Sequence, residues 1–342
     1  MPSGLRISSA ILALACAMGC NRNASKTEAA ATTSVQSASA PTIDSQDKAP
    51  PPQQTGGFDG QRAYDYTAKL VSFGPRPPAS DAIRRTQFYL VGELKGFGCD
   101  VSTDDFHAST PIGELAMKNI VAKVPGTGHG VILLLTHYDT LRLPSFVGAE
   151  DGGSSTGLML EMASLLCGNQ SKQPNSVWIA FLDGEEAQLV QNGVAQWTGT
   201  DSVYGSRELS ARLELSGDLK RIRAVILADM IGQKGLKIPK ESTSTSWLTD
   251  LIWSAAAKLG YQDVFVSQSS PVDDDHDPFL SKHVPAVDII DLNDYINEGY
   301  WHTPQDTMDK ISPKSLAIVG HVILASVSEL QKKFSSNATG KP

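Results

Sequence analysis

Three stretches of this chain are apolar almost from end to end and stop on an acid: GVILLLTHYD (130–139), SVWIAFLD (176–183) and IRAVILAD (222–229). A strand with no polar face has to be covered on both sides, and a largely parallel sheet between two layers of helices does that. Helical spacing fills the intervals. SSTGLMLEMASLLC puts Leu158, Met162 and Leu165 on one face, and YGSRELSARLE, SWLTDLIWSAAAKLG and SPKSLAIVGHVILASVSELQKKF follow, the last opened by Ser312 and Pro313. DVFV and HVPAVDIID read as further strands. Upstream, DGQRAYDYTAKLVSFG and AIRRTQFYLVGELKGFG are helices, stopped by GPRPP and by Gly96 and Gly98. DVSTDDFHA and GELAMKNIVAKVP are strands broken by polar residues, which suits an edge or antiparallel pairing. The expected fold is α/β: a three-layer sandwich with a central mixed, mostly parallel sheet flanked by helices. It forms one domain, residues 58–334, followed by a flexible tail, 335–342.

The N-terminus lies outside this pattern. MPSGLRISSAILALACAMGC places Arg6 ahead of an apolar run at 10–18, the order of an export signal and too short for a lasting bilayer span. Residues 1–19 read as a lipoprotein-type signal peptide with Cys20 lipidated; lipidation at Cys16 and simple secretion are the alternatives. Residues 20–57 are rich in Ala, Ser, Thr, Gln and Pro and read as a disordered tether. Such a chain leaves a bacterial cytoplasm and faces the periplasm or the cell exterior, touching membrane only through its lipid. Beyond the signal only Cys99 and Cys167 remain; export permits them to pair, but two cysteines are no framework, and buried free thiols are the blander reading. The net charge of -8, with no basic cluster, argues against a nucleic-acid partner. No assembly signal is visible, so a monomer is expected.

The chemistry gathers where the apolar strands stop. Sites in open α/β sheets lie beyond the carboxyl ends of strands. THYDT supplies His137 and Asp139, GAEDGGSS supplies Asp151, LDGEE supplies Glu185 and Glu186, and LADMIG supplies Asp229. YWHTPQDTMDK adds His302. Alone, each has a duller role: an Asp capping a turn, a solvated Glu pair, a satisfied strand-end His. Their recurrence after strand after strand points instead to a metal centre, and mixed imidazole and carboxylate donors suit zinc. One of the adjacent glutamates then binds the cation and the other stays free to move a proton.

These motifs resemble the M28 zinc peptidases and, within them, the animal-type glutaminyl cyclases, which bacteria also possess. THYDT, GAEDGGSSTG, DGEE, LADMIG and WHTPQDTMDKI carry the resemblance, which spans most of residues 58–334. It implies that Asp151, Glu186 and His302 hold the zinc kept by cyclases and that Glu185 is the general acid and base. Aminopeptidases of the family add a second zinc through His137 and Asp229. WTGTDSVYGSREL, DDHDPFL and YWH are similar to cyclase stretches. They imply Trp197 and Trp301 as pocket walls, and Asp274 with Asp229 as a hydrogen-bonding relay around Glu185. The chain departs from animal cyclases in three places: a longer segment between the Glu pair and Trp197, Thr136 and Thr156 where a cysteine pair lies, and Asp288 in place of a His. The resemblance implies a glutaminyl-peptide cyclotransferase with one zinc, converting the N-terminal Gln of a peptide or protein to pyroglutamate with release of ammonia. The alternatives are a two-zinc aminopeptidase and, more distantly, an exported binding protein with a structural zinc.

Overall fold

The computed structural model describes residues 43–169 and 173–336. The signal-peptide, Cys20 and Cys16 readings, the tether up to residue 42 and the tail from residue 337 lie outside the described residues. The strands are, in chain order, β1 (Asp100–Thr110), β2 (Gly113–Val124), β3 (Val131–His137), β4 (Ser176–Leu182), β5 (Val190–Gln191), β6 (Val194–Ala195), β7 (Ile222–Asp229), β8 (Ile238–Glu241), β9 (Phe265–Ser270) and β10 (Ala286–Ile290). The helices are α1 (Gly60–Val71), α2 (Asp81–Gly96), α3 (Ser155–Gly168), α4 (Tyr204–Ser216), α5 (Ser246–Lys258), α6 (Asp277–Leu280), α7 (Leu292–Asn297) and α8 (Pro313–Ser336).

Six strands form the central sheet in the order β1-β2-β4-β3-β7-β10. The polar-interrupted strands sit where their composition sends them: β1 pairs antiparallel with β2, and β2 antiparallel with β4. The apolar strands β4, β3, β7 and β10 are parallel. Alternate side chains leave opposite faces. Ile132 and Leu134 join Ile179, Phe181 and Ile226 under the helical layer that includes α1, α3, α5 and α8. Val131, Leu133 and Leu135 join Trp178, Ala180 and Leu227 against Leu209 and Leu213 of α4. This is a three-layer α/β sandwich. Its register brings the chemical ends of the strands level, with His137 beside Leu182 and Asp229 beside Ile290. The chain leaves β3 toward β4 on one side and has β7 on the other, so the ligand-bearing loops open at a switch in strand order.

Local signals fix the helix starts. The Asp59 carboxylate accepts the N–H groups of Gln61 and Arg62 ahead of α1, and Ser80 accepts that of Ile83 ahead of α2. By length and composition α8 passes for a membrane span, but Leu316, Val319, Val322, Ile323 and Leu330 are buried in the core, so it is an interior helix.

Two readings change. Cys99 and Cys167 are joined by a disulfide rather than standing as free thiols. Cys99 follows the end of α2, Cys167 lies in the last turn of α3, and the packing of these helices brings the two Cα atoms to 5.1 Å. The bridge closes a loop of sequence separation 68. Its reduction is expected to lower unfolding stability by about 4 kcal/mol in the chain-entropy account, read as a shift of the urea midpoint with and without dithiothreitol; an unshifted midpoint contradicts this. Second, the end of the expected tether lies on the domain. Thr55 is buried and donates to Phe58 O at 2.6 Å, Lys234 reaches Asp47 at 3.8 Å, and Ile43 packs against the core. A proline-rich run such as 50–52 has little conformational freedom to lose, so a few contacts suffice to order it.

Candidate metal centre

β3 ends on His137, and the chain then loops back to place Asp151 beside it. Asp151 has φ -79° and ψ 103°, and Gly152 takes φ 75°. A Cβ on Gly152 would lie 2.8 Å from both Asp139 O and the His137 ring, so glycine is required where this loop crosses the strand end. The loop is held from behind by Asp306, which accepts the N–H of Glu150 at 2.8 Å, that of Asp151 at 3.1 Å and the Tyr295 hydroxyl at 2.7 Å. Fully buried Arg76 donates to Tyr138 O, Val147 O and Gly148 O along the approach to the same loop.

β4 delivers the glutamate pair. Asp139 accepts the Glu185 N–H at 3.1 Å and the Glu186 N–H at 3.4 Å, and it faces His137 Nδ1 at 3.5 Å. One carboxylate thus orients both glutamates and an imidazole. The adjacent side chains diverge. Glu186 Oε1 accepts the Leu141 N–H at 3.0 Å, and its Oε2 points to His302 Nε2 at 3.2 Å. Glu185 Oε2 lies 3.9 Å from His137 Nδ1. His302 adopts a left-handed backbone, φ 53°, a strained choice for a non-glycine residue and one that recurs where a side chain is held for function. Trp301 stacks on its ring with centroids 4.0 Å apart.

Two sets of donor atoms converge and share Asp151. Asp151, Glu186 and His302 form one set; His137, Asp151 and Asp229 form the other, with all ligand atoms in each within 4.8 Å of one another. In the first, His302 Nε2 is 3.3 Å from Asp151 Oδ2 and 3.2 Å from Glu186 Oε2. In the second, His137 Nε2 is 3.3 Å from Asp151 Oδ1 and 3.1 Å from Asp229 Oδ1. Two ligands at ordinary zinc bond lengths and a tetrahedral angle stand about 3.3 Å apart. Both sets therefore fit a zinc ion. Glu186 Oε2 is buried and accepts no hydrogen bond, as a metal-facing oxygen would.

Charge crowding dominates the centre. Burial pushes Glu185 well above the usual carboxylate range; His137 opposes this, and Asp274, Glu186 and Asp275 add to it. Burial also lifts Glu186, to about 7 against the pull of His302, and it lifts Asp229. Burial would lower His302, but Glu186 and Asp151 raise it to about 10. Burial would raise Asp151, but its pairs with His137 and His302 hold it below the normal value. Apart from its cationic partners, this cluster has more acid than it can ionise, which is the setting a divalent cation relieves.

The cavity above these groups holds about 250 Å³. Asp151, Glu185, Glu186, Asp229, Asp274, Trp197, Trp301 and His302 all line it. His137 stays beneath, fully buried. Trp197 reaches the wall although the segment before it is long, because the extra residues fold into the β5–β6 hairpin. Asp229 Oδ1 pairs with His137, while Asp274 Oδ1 accepts the Asp275 N–H. Thr136 and Thr156 bond locally, the first to Ser155 Oγ and the second to His137 O. Sequence reasoning missed Arg76 and Asp306 as supports of the site. Asp306 sits inside the quoted WHTPQDTMDKI motif, four residues past His302, which was its one available signal. Nothing in the residues around Arg76 marks it as buried.

The sequence profile of Peptidase family M28 matches residues 119–327. Among solved structures, the glutaminyl cyclase of an Acidobacteriales bacterium is 37% identical, with TM-score 0.75, covering 86% of this chain and 100% of that one. A leucine aminopeptidase precursor from Bacteroides thetaiotaomicron is 28% identical, with TM-score 0.69, covering 79% of this chain and 97% of the other. The glutaminyl-peptide cyclotransferase-like protein of Mus musculus is 29% identical over 303 residues, 80% of this chain and 76% of its own length.

Proposed function

The chain belongs to peptidase family M28, and from that premise we propose that it is a glutaminyl-peptide cyclotransferase, acting on the N-terminal Gln of peptides or proteins. The observation that carries this reading is the division of labour between Glu185 and Glu186. Glu186 turns to His302 and Asp151, while Glu185 stays outside that trio and lines a small cavity walled by Trp197 and Trp301. Solved glutaminyl cyclases such as the Acidobacteriales enzyme support it.

Asp151, Glu186 and His302 would hold zinc, which when bound supplies Lewis-acid polarisation of the substrate's side-chain carbonyl. The protein's own groups do the rest. Glu185, kept basic by burial and by Asp274, takes a proton from the α-amine as that nitrogen attacks the side-chain amide carbon. A C–N bond closes the five-membered ring, the bond to the amide nitrogen breaks, and Glu185 returns the proton to the departing ammonia. The two tryptophans confine the side chain and keep water from competing for the same carbon. Because nucleophile and electrophile belong to one residue, holding it folded is much of the catalysis. Trp301→Ala is expected to raise KM about tenfold by removing an aromatic wall, with zinc content unchanged; an unaltered KM contradicts its place in the pocket.

A second reading has its own observation, the His137–Asp151–Asp229 trio. With that set also filled, Glu185 would activate water and the chain would be an aminopeptidase. Glutaminyl peptides and aminoacyl chromogenic substrates, assayed alongside zinc counted per chain, separate the two. Pyroglutamate with about one zinc is the expected result; hydrolysis with about two overturns it. Export and lipid anchoring at Cys20 belong to the same proposal. The Cys99–Cys167 disulfide supports an oxidising compartment.

A further inference from the structure

Glu241 ends β8 outside the cavity, with its side chain wholly buried and every oxygen in use. Oε2 accepts the Ser244 N–H at 2.6 Å, the Ser244 hydroxyl at 2.8 Å and the Thr243 hydroxyl at 2.9 Å, and it faces His276 Nε2 at 3.2 Å. Oε1 accepts the Thr243 N–H at 2.8 Å and the Val272 N–H at 3.3 Å. Burial would raise this carboxyl, but the bonds from His276, Thr243 and Ser244 bring it down to about 2, so it is an anion. A buried carboxylate with this many donors is a costly way to shape a turn that hydroxyls and backbone could close by themselves.

What it joins gives the reason. Val272 and His276 bracket Asp274, which lines the same cavity as Glu185. Ser244 Oγ, while donating to Glu241, accepts the Asp288 N–H at 3.1 Å. Thr245 extends this hold on β10, exchanging hydrogen bonds with Ala286 at 2.8 and 3.1 Å. Asp288 is the ionisable neighbour that acts most strongly on Asp274, and neither Asp288 oxygen accepts a hydrogen bond among the described residues. One anion thus fixes both segments that carry the acid pair. We propose that Glu241 is a positioning residue: it sets the distance between Asp274 and Asp288, and through Asp274 the environment of Glu185. The activity arm of this proposal rests on the cyclase reading; the structural arm does not.

The test uses the zinc-loaded full chain with Glu241→Gln and Ser244→Ala. Gln replaces one acceptor oxygen by an amide donor facing N–H groups, and Ala removes the hydroxyl that donates to Glu241 and accepts the Asp288 N–H while leaving the carboxylate in place. The readouts are kcat and KM on a glutaminyl peptide, zinc per chain, inhibition by imidazole as a probe of the metal, and amide hydrogen exchange. Glu241→Gln is expected to lower kcat about tenfold or more, with KM within about twofold and zinc and imidazole inhibition unchanged. Faster exchange should be confined to residues 242–245, 271–276 and 286–290. Ser244→Ala should do the same more weakly, and it decides the matter if Glu241→Gln does not fold. Normal kcat with unchanged exchange in a folded variant overturns the proposal. So does a loss of kcat that tracks lost zinc or faster exchange at 149–154. A wild-type chain that cyclises no glutaminyl peptide sinks the functional reading instead, and the exchange pattern still judges the positioning role.

Discussion

Glu185→Gln is expected to keep its zinc and lose its turnover, kcat falling about a thousandfold or more, within the range that positioned general acid–base groups supply. The substitution is nearly isosteric, and the Glu185 N–H that donates to Asp139 remains. None of the three groups that face one another at His302 is touched. What disappears is a cavity carboxyl that burial and its acidic neighbours keep basic, next in sequence to the ligand Glu186 yet outside the Asp151–Glu186–His302 trio. Elemental analysis of the purified variant beside steady-state kinetics checks both halves. A variant that loses its metal, or one that turns over within about tenfold of wild type, removes Glu185 from the role given to it.

Stripping the metal is expected to destabilise the protein, and more so as pH rises from 5 to 8. The sign follows from the direction of each shift. In the metal-free chain Glu186 is raised to about 7, so its folded form keeps a proton that the unfolded form has released. That stability is present at low pH and is lost as pH rises through about 7. Glu185 and Asp229 are shifted the same way, and His302, raised from 6.5 to about 10, loses its contribution progressively between those values, which adds to the loss in the upper part of the window. Asp151 is lowered and acts in the opposite sense, but only in acid below this window. A bound cation replaces those protons, so the loaded enzyme escapes the loss, and deprotonated ligands bind the metal more tightly. With free zinc a thousandfold above its dissociation constant the gain is about 4 kcal/mol, on the order of 10 °C in Tm for a domain of this size. Paired melting curves with and without chelator at several pH values measure it. A gap that shrinks toward pH 8 contradicts the assignment.

The sheet was legible because its central strands have no polar face. GVILLLTHYD admits one environment, and it got it, since every residue of β3 is buried. The donor set was legible because His137, the glutamate pair and Asp229 stand at or just past the ends of such strands, Asp151 sits in a glycine-rich loop leading into a helix, and His302 follows a tryptophan in YWH. Contacts between elements were less legible. Cys99 and Cys167 stand 68 residues apart, and only the packing of α2 on α3 brings them together. Arg76, Asp306 and Glu241 act on backbone groups far from them in sequence, and side chains that hold loops carry no periodicity to find them by. The turn residues did speak: Gly152 in the ligand loop is a glycine because the His137 ring lies where its Cβ would be.

The most direct test of the central claim is anomalous diffraction at the zinc edge from crystals of the holoenzyme. The account predicts one fully occupied peak about 2.0–2.2 Å from Asp151, Glu186 and His302, with the Glu185 carboxylate beside it but beyond bonding distance. Two full peaks, the second on His137 and Asp229, or a peak that Glu185 itself coordinates, would contradict it.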